Sequence, residues 1–275
     1  MRIINLMENT PGNKGCKYEH GLSFYIETDS HKIIMDTGAT DGFFQNANAL
    51  GIDLSLVDTL ILSHGHYDHS GGIMSFYEIN KQALIYVQKG AGEDYYHKNE
   101  VMEKYIGIDK DILGLPTVRV IDGDMRLDSN LNIFSKVTGR RLWPSGNREL
   151  MVKKDGEFVQ DEFLHEQYLV IEGENKNILV SGCAHNGVLN ILDRYKELYG
   201  SYPAAVISGF HMQKKNGYSD EDIELFRKVA QELKSLDTVF YTGHCTGELP
   251  FQVMKEIMGD SLVYVHSGDE IKQND

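Results

Sequence analysis

Residues 64–69 read His-Gly-His-Tyr-Asp-His and follow the largely apolar run Val57 to Leu62. Four side chains able to ligate a metal stand within this run, three of them imidazoles from a chain total of 11 histidines. Imidazole nitrogen with some carboxylate oxygen suits borderline divalent ions, zinc first among them, with iron and manganese as alternatives. Two imidazoles two apart, then a carboxylate and another imidazole, provide donors for two adjacent ions from one loop. A solvated loop that happens to contain histidines is the competing reading, and the concentration of a scarce residue type disfavours it.

Three later apolar runs end in similar punctuation. Ile178-Leu179-Val180-Ser181 leads into Gly182-Cys183-Ala184-His185, Ala205-Val206-Ile207 into Ser208-Gly209-Phe210-His211, and Val239-Phe240-Tyr241 into Thr242-Gly243-His244. In each, a small residue and a glycine stop the run and a potential ligand follows. Carboxyl ends of sheet strands are where α/β proteins place their sites, and glycine allows a tight turn there.

These groups need a scaffold of strands and helices. Leu22 to Thr28 and Lys32 to Asp36 read as a hairpin, Phe43 to Leu50 as a helix stopped by Gly51, and Val57 to Leu62 as a strand covered on both faces. Ser70 to Ile79 reads as a helix and Ala83 to Val87 as a strand. The stretch Ala91 to Ile112 is rich in Tyr, Lys and Glu with an irregular helical pattern, and suggests an insertion capping the site near 91–115. Strands follow at Thr117–Ile121, Leu131–Lys136 and Gln167–Glu172, and the last third alternates strand and helix. Strands first, then alternating elements, predict an α/β fold of the four-layer αββα sandwich kind, as one domain over 1–275.

The formal net charge is −14 and no Lys/Arg block forms a phosphate-backbone groove, which argues against a nucleic-acid partner. The three cysteines, Cys16, Cys183 and Cys245, are too dispersed for a disulfide framework. No signal-peptide core and no membrane-length apolar stretch is present, so no membrane partner and a cytoplasmic location are expected.

HGHYDH after an apolar strand resembles the HxHxDH signature of the metallo-β-lactamase superfamily. Ile33-Ile34-Met35-Asp36-Thr37-Gly38 looks like that superfamily's first motif and GHCTG like its last. EHGLS, SHGHYDHSGG, SGCAHNG, SGFH and TGHCTG together resemble the branch named after 7,8-dihydropterin-6-ylmethyl-4-(β-D-ribofuranosyl)aminobenzene-5′-phosphate synthase. The resemblance implies two divalent ions as cofactors. His64, His66 and His185 would bind one; Asp68, His69 and His244 the other; and a metal-activated hydroxide would supply the nucleophile. His165 and Cys183 are alternative ligands, Cys183 standing where relatives carry a bridging Asp. Asp36 would hold the HGHYDH loop by hydrogen bonds. Asp68 would orient the nucleophile, and His211 reads as a catalytic pocket histidine donating to an oxyanion, with a metal ligand or a satisfied strand-end histidine as the alternatives. His20, Arg140 and Arg141 are candidate substrate contacts, with a structural role for His20 and a solvated loop for the arginine pair as the competing readings, the latter favoured.

Three functions are compatible with this set. The first is a metal-dependent, dinuclear zinc hydrolase of a small anionic, phosphoester-type substrate. The second is a transferase that joins a pterin-methyl group to an aminobenzene acceptor as pyrophosphate departs. The third is a non-catalytic, metal-dependent ligand sensor, which the complete ligand set disfavours.

Overall fold

Two sheets of seven strands and one of four organise the described residues of this computed structural model, which are 1–12, 15–173 and 176–272. The chain divides into two units. The first comprises Met1–Asp122, Met151–Val159 and the chain from Val265; the second comprises Gly123–Leu150 and Gln160–Tyr264.

In the first unit the strand order is Glu270–Ile271, Arg2–Met7, Ser23–Glu27, Lys32–Met35, Thr59–Ile61, Leu84–Gln88, Val118–Ile121. The β-branched and aromatic run at 23–35 closes as the expected hairpin, with Tyr25 opposite Ile34 and Ile26 opposite Ile33. From Lys32–Met35 onward the pairing is parallel: Ile34 registers with Leu60 and Leu60 with Ile85. Parallel register brings Asp36 and Leu62-Ser63-His64 out at the same edge of the sheet. Ile4, Leu6, Ile34, Leu60 and Ile85 bury one sheet face against Phe43, Ala47, Ile73 and Phe76 of the helices Gly42–Ala49 and Ile73–Ile79.

The helix expected over 70–79 is two helices, Tyr67–Ser70 and Ile73–Ile79. The break at Gly71-Gly72 has a packing cause. A Cβ on Gly71 would lie 2.0 Å from the Ala39 carbonyl oxygen, and one on Gly72 2.3 Å from the Phe43 ring. Only glycine permits that approach.

The irregular helical pattern expected at 91–112 is corrected: Asp94–Lys98 and Glu103–Tyr105 are antiparallel strands, with Tyr96 opposite Tyr105, followed by a 3₁₀ turn at Lys110–Gly114. They belong to the small sheet with Leu150–Lys154 and Glu157–Gln160. The cause is a partner distant in sequence. Tyr96 packs edge-on against Tyr105 and Phe158, with centroids 5.4 and 5.2 Å away, and aromatic cross-strand pairs favour strand over helix.

In the second unit the order is Leu262–Tyr264, Val239–Thr242, Ala205–Ile207, Ile178–Val180, Tyr168–Ile171, Leu131–Phe134, Met125–Arg126. The first four are mutually parallel, so the three punctuated strand ends share one edge. Helices Val188–Tyr199, Asp220–Lys234 and Glu248–Met258 bury Leu192, Phe226, Leu233 and Met254 in this unit's core with Val206 and Phe240. Among the described residues no helix is long and apolar enough to cross a membrane.

Candidate metal centre

In the first unit the loop after Thr59–Ile61 hangs on one carboxylate. Asp36 ends its strand with φ +62, a left-handed conformation unusual outside glycine. Its Oδ1 accepts from the Ser63 backbone N–H at 2.7 Å, and its Oδ2 from Ser63 Oγ at 2.7 Å and His69 Nδ1 at 2.6 Å. Ser63 Oγ also lies 2.8 Å from His64 Nδ1. The hydroxyl has one proton, which goes to Asp36, so it accepts from His64 Nδ1–H. Both rings are thereby protonated on Nδ1, which makes Nε2 the basic nitrogen of each, as metal-ligating histidines require.

Around this chain the loop gathers its donors. The His64 ring centroid lies 4.5 Å from that of His66 and 4.2 Å from that of His69. Asp68 Oδ2 is 3.9 Å from His69 Nε2 and 3.3 Å from His20 Nε2. His64, His66, Asp68 and His69 are all buried, whereas the His20 side chain is half exposed. The EHGLS segment acquires a structural account: Glu19 accepts from the Ala39 and Thr40 N–H groups at 2.9 and 3.0 Å, and Leu22 N–H donates to Asp68 O at 3.1 Å. A Cβ on Gly21 would fall 2.9 Å from that same carbonyl oxygen.

In the second unit the three strand ends carry left-handed residues that are not glycine: Ala184 (φ +54), His211 (+48) and His244 (+51). Each costs of order 1 kcal/mol or more and persists where its surroundings over-determine it. Around Ala184 the determinant is Glu166. Its Oε1 accepts from His185 N–H at 2.7 Å; its Oε2 from Asn186 N–H and Nδ2 at 2.9 Å each and from Tyr168 OH at 2.6 Å. Burial pushes the Glu166 carboxyl up against the lowering effect of these donors, and burial beside Glu166 pushes the Tyr168 hydroxyl well up.

The His185 ring stacks on Phe163 (4.5 Å, 3°) and lies 4.1 Å from the His211 ring between centroids. Asn147 Nδ2 donates to His185 O at 2.7 Å, which fixes the amide, so its Oδ1 accepts from His185 Nδ1 at 3.1 Å. His185 therefore presents Nε2 in the same way as His64 and His69. His165, the alternative ligand, is buried with Nε2 3.1 Å from Asp161 Oδ2.

Cys183, His211 and Cys245 place thiol sulfurs and an imidazole nitrogen within 4.8 Å of one another. Cys245 accepts from His211 N–H at 3.3 Å. A Cβ on Gly209 would stand 2.4 Å from Cys245 Sγ, which explains the glycine of SGFH. Burial alone would raise the Cys245 thiol, but hydrogen bonding with Cys183 and His211 and the nearby His244 and His211 rings hold it well below the usual range.

The arginine pair is engaged by protein groups. Arg140 donates to Asn186 Oδ1 at 3.1 Å and to Glu162 O at 3.0 Å, while Arg141 is bidentate on Asp193 and also pairs with Glu232. Sequence reasoning missed Ser63, Asn147 and Glu166. Glu166 follows His165 directly, but nothing in its local pattern marks it, since its partners are brought to it by the fold.

The chain matches the family model described as the metallo-β-lactamase superfamily over residues 18–244. It is 30% identical over 279 residues to an uncharacterised protein of Methanocaldococcus jannaschii, covering 97% of this chain and 98% of that protein. It is 29% identical over 293 residues to the 7,8-dihydropterin-6-methyl-4-(β-D-ribofuranosyl)-aminobenzene-5′-phosphate synthase of the same organism, covering 99% and 96%. The crystal structure of a metal-dependent hydrolase of the β-lactamase superfamily superposes with a TM-score of 0.83 at 30% identity, covering 100% of both chains.

Proposed function

The chain belongs to the metallo-β-lactamase superfamily and has its fold, and from that premise we propose that it is a metal-dependent hydrolase of a small anionic, phosphoester-type substrate. The ligand assignment rests on the motifs: His64, His66 and His185 for one divalent ion, Asp68, His69 and His244 for a second, zinc being the first candidate. His165 and Cys183 are the alternatives. When bound, such ions supply charge stabilisation at the scissile group and acidify a water enough to act near neutral pH.

The observation that carries the proposal is the buried chain from Asp36 through Ser63 to His64 and His69. A carboxylate that fixes two imidazole tautomers through Nδ1 is what a metal ligand needs and what a packing histidine does not. Asp68 adds the anionic donor, and its contact with His20 sets the direction of its carboxylate. His211 closes its strand beside the Cys183 and Cys245 thiols and is the candidate to donate an imidazole N–H to an oxyanion. Arg141, engaged by Asp193 and Glu232, is the weaker of the two arginine candidates for substrate contact.

A second reading keeps the ligands and changes the reaction to pterin-methyl transfer with pyrophosphate departure. Its support is the 29% identity to a named synthase over nearly the whole chain. Purified protein incubated with aryl phosphomonoesters, and separately with a pterin-methyl diphosphate plus an aminobenzene acceptor, each with and without chelator, separates the two. Chelator-sensitive phosphate release from the simple esters supports the hydrolase. Chelator-sensitive pyrophosphate release only when the acceptor is present favours the transferase. Turnover of neither by metal-loaded protein overturns both and leaves the sensor.

A further inference from the structure

The chain flanking the hairpin at residues 94–105 touches the HGHYDH loop. Tyr67 N–H donates to Ile106 O at 2.9 Å, and a Cβ on Gly65 would stand 2.4 Å from Ala91 O. Successive side chains of a strand point to opposite faces, and the two faces of this hairpin differ. Tyr96, Lys98, Glu103 and Tyr105 share one face, against which Phe158 packs. Tyr95, His97 and Lys104 share the other, His97 registering with Lys104. That second face meets the loop. Tyr95 lies edge-on to the His66 ring at 5.9 Å, and Lys104 Nζ sits 4.6 Å over the Tyr67 ring and 3.2 Å from its hydroxyl.

Among the described residues, Lys104 also lacks the ion pair that several neighbouring lysines make. Lys89 pairs with Asp122, Lys98 with Glu103, Lys110 with Asp94 and Lys154 with Glu93. Lys104 has no carboxylate partner among the described residues; its contact is Tyr67, the residue that separates His66 from Asp68. In a chain of net charge −14, an anion approaching this loop meets general repulsion, and an unpaired ammonium at the loop offsets it locally.

We propose that the Lys104 ammonium and the Tyr67 hydroxyl form an oxyanion-binding pair that receives the phosphoryl end of the substrate, making Lys104 the residue that selects for an anionic group. The inference rests on the reading of the HGHYDH loop as part of a catalytic centre for anionic substrates. Lys104 acts on binding, with no bond made or broken at its nitrogen. Tyr67 supplies both the ring that holds the ammonium in place and a second hydrogen-bond donor.

The test compares wild type, Lys104→Ala, Lys104→Arg and Lys153→Ala, the last a lysine near Tyr96 and Phe158 on the other face. Each is assayed on an aryl phosphomonoester and on the neutral acetate ester of the same phenol, and titrated with phenylphosphonate by calorimetry. Lys104→Ala is expected to raise KM for the phosphoester about fivefold, the worth of one solvent-exposed charge contact. Its kcat should stay within about twofold and its KM for the neutral ester should not move, the pattern of a binding interaction made equally in ground and transition states. Lys104→Arg should restore most of the loss, and Lys153→Ala should match wild type. Phenylphosphonate Kd should weaken by the same factor, which separates this inference from the hydrolase proposal: no turnover by any variant sinks the hydrolase, while the Kd still reports Lys104. Equal Kd for wild type and Lys104→Ala, binding by neither, or an equal KM change on the neutral ester overturns the inference.

Discussion

The HGHYDH loop of the first unit and the three strand ends of the second hold their histidines by different means. The first set is contiguous, and a single carboxylate, Asp36, tethers His69 directly and His64 through Ser63. The second set is scattered over residues 183–245, and no one group serves all of it. Glu166 ties down residues 185 and 186, whereas Thr242 and Thr246 tie the later ends together: Thr242 Oγ1 donates to Ser208 O at 2.8 Å and Phe210 N–H to Thr246 Oγ1 at 2.9 Å. The scattered set also carries left-handed backbone at Ala184, His211 and His244. A contiguous motif needs one local tether, but a dispersed one must be over-determined by tertiary hydrogen bonds that outweigh local strain.

That contrast sets the order of expected mutational costs. Glu166→Ala takes the acceptor from three buried donors, His185 N–H, Asn186 N–H and Tyr168 OH, and should cost about 3–5 kcal/mol in urea unfolding, while Glu166→Gln, which keeps an acceptor, should cost about 1–2 kcal/mol. A loss below about 1 kcal/mol for the alanine variant would show that Glu166 does not hold the loop at 184–186. Asp36→Ala comes next at about 2–3 kcal/mol, and it should also weaken metal affinity by about 10–100-fold, the usual cost of losing a group that orients a ligand. Calorimetric titration with zinc checks the second figure, and an unchanged affinity would detach Asp36 from the metal.

A smaller, pH-dependent effect belongs to the second unit. Burial alone would raise the Asp222 carboxyl, but Lys214 Nζ at 2.7 and 2.8 Å and bonds from Ser219 and Ser145 outweigh it and hold the pKa at about 2. The folded value lies below an unfolded one of about 4, so this contribution is present above about pH 4 and is lost as pH falls through about 2. Asp222→Asn should remove that slope from an acid titration of stability, and an identical slope would assign it elsewhere. Arg141→Ala is expected to be the mildest change, under about 1 kcal/mol, because its carboxylate partners are exposed.

Much of this was legible in the sequence. The strand ends announced themselves because apolar runs stop at small-residue and glycine pairs, and the Asp36 tether follows from its place at the end of a strand beside the HGHYDH loop. The hairpin at 94–105 was not legible, because what makes it a strand pair is Phe158, distant in sequence. Neither was Glu166, whose donors at 168, 185 and 186 converge only in the fold. Left-handed backbone at His211 and His244 leaves no compositional trace either, since glycine is the residue such a conformation normally announces.

Metal analysis of wild type and His66→Ala by inductively coupled plasma mass spectrometry, with circular dichroism to verify folding, tests the central claim most directly. The account predicts about two divalent ions per chain in wild type and the loss of one in the folded variant. Metal-free wild type after purification in excess zinc, or an unchanged metal content in His66→Ala, would contradict it.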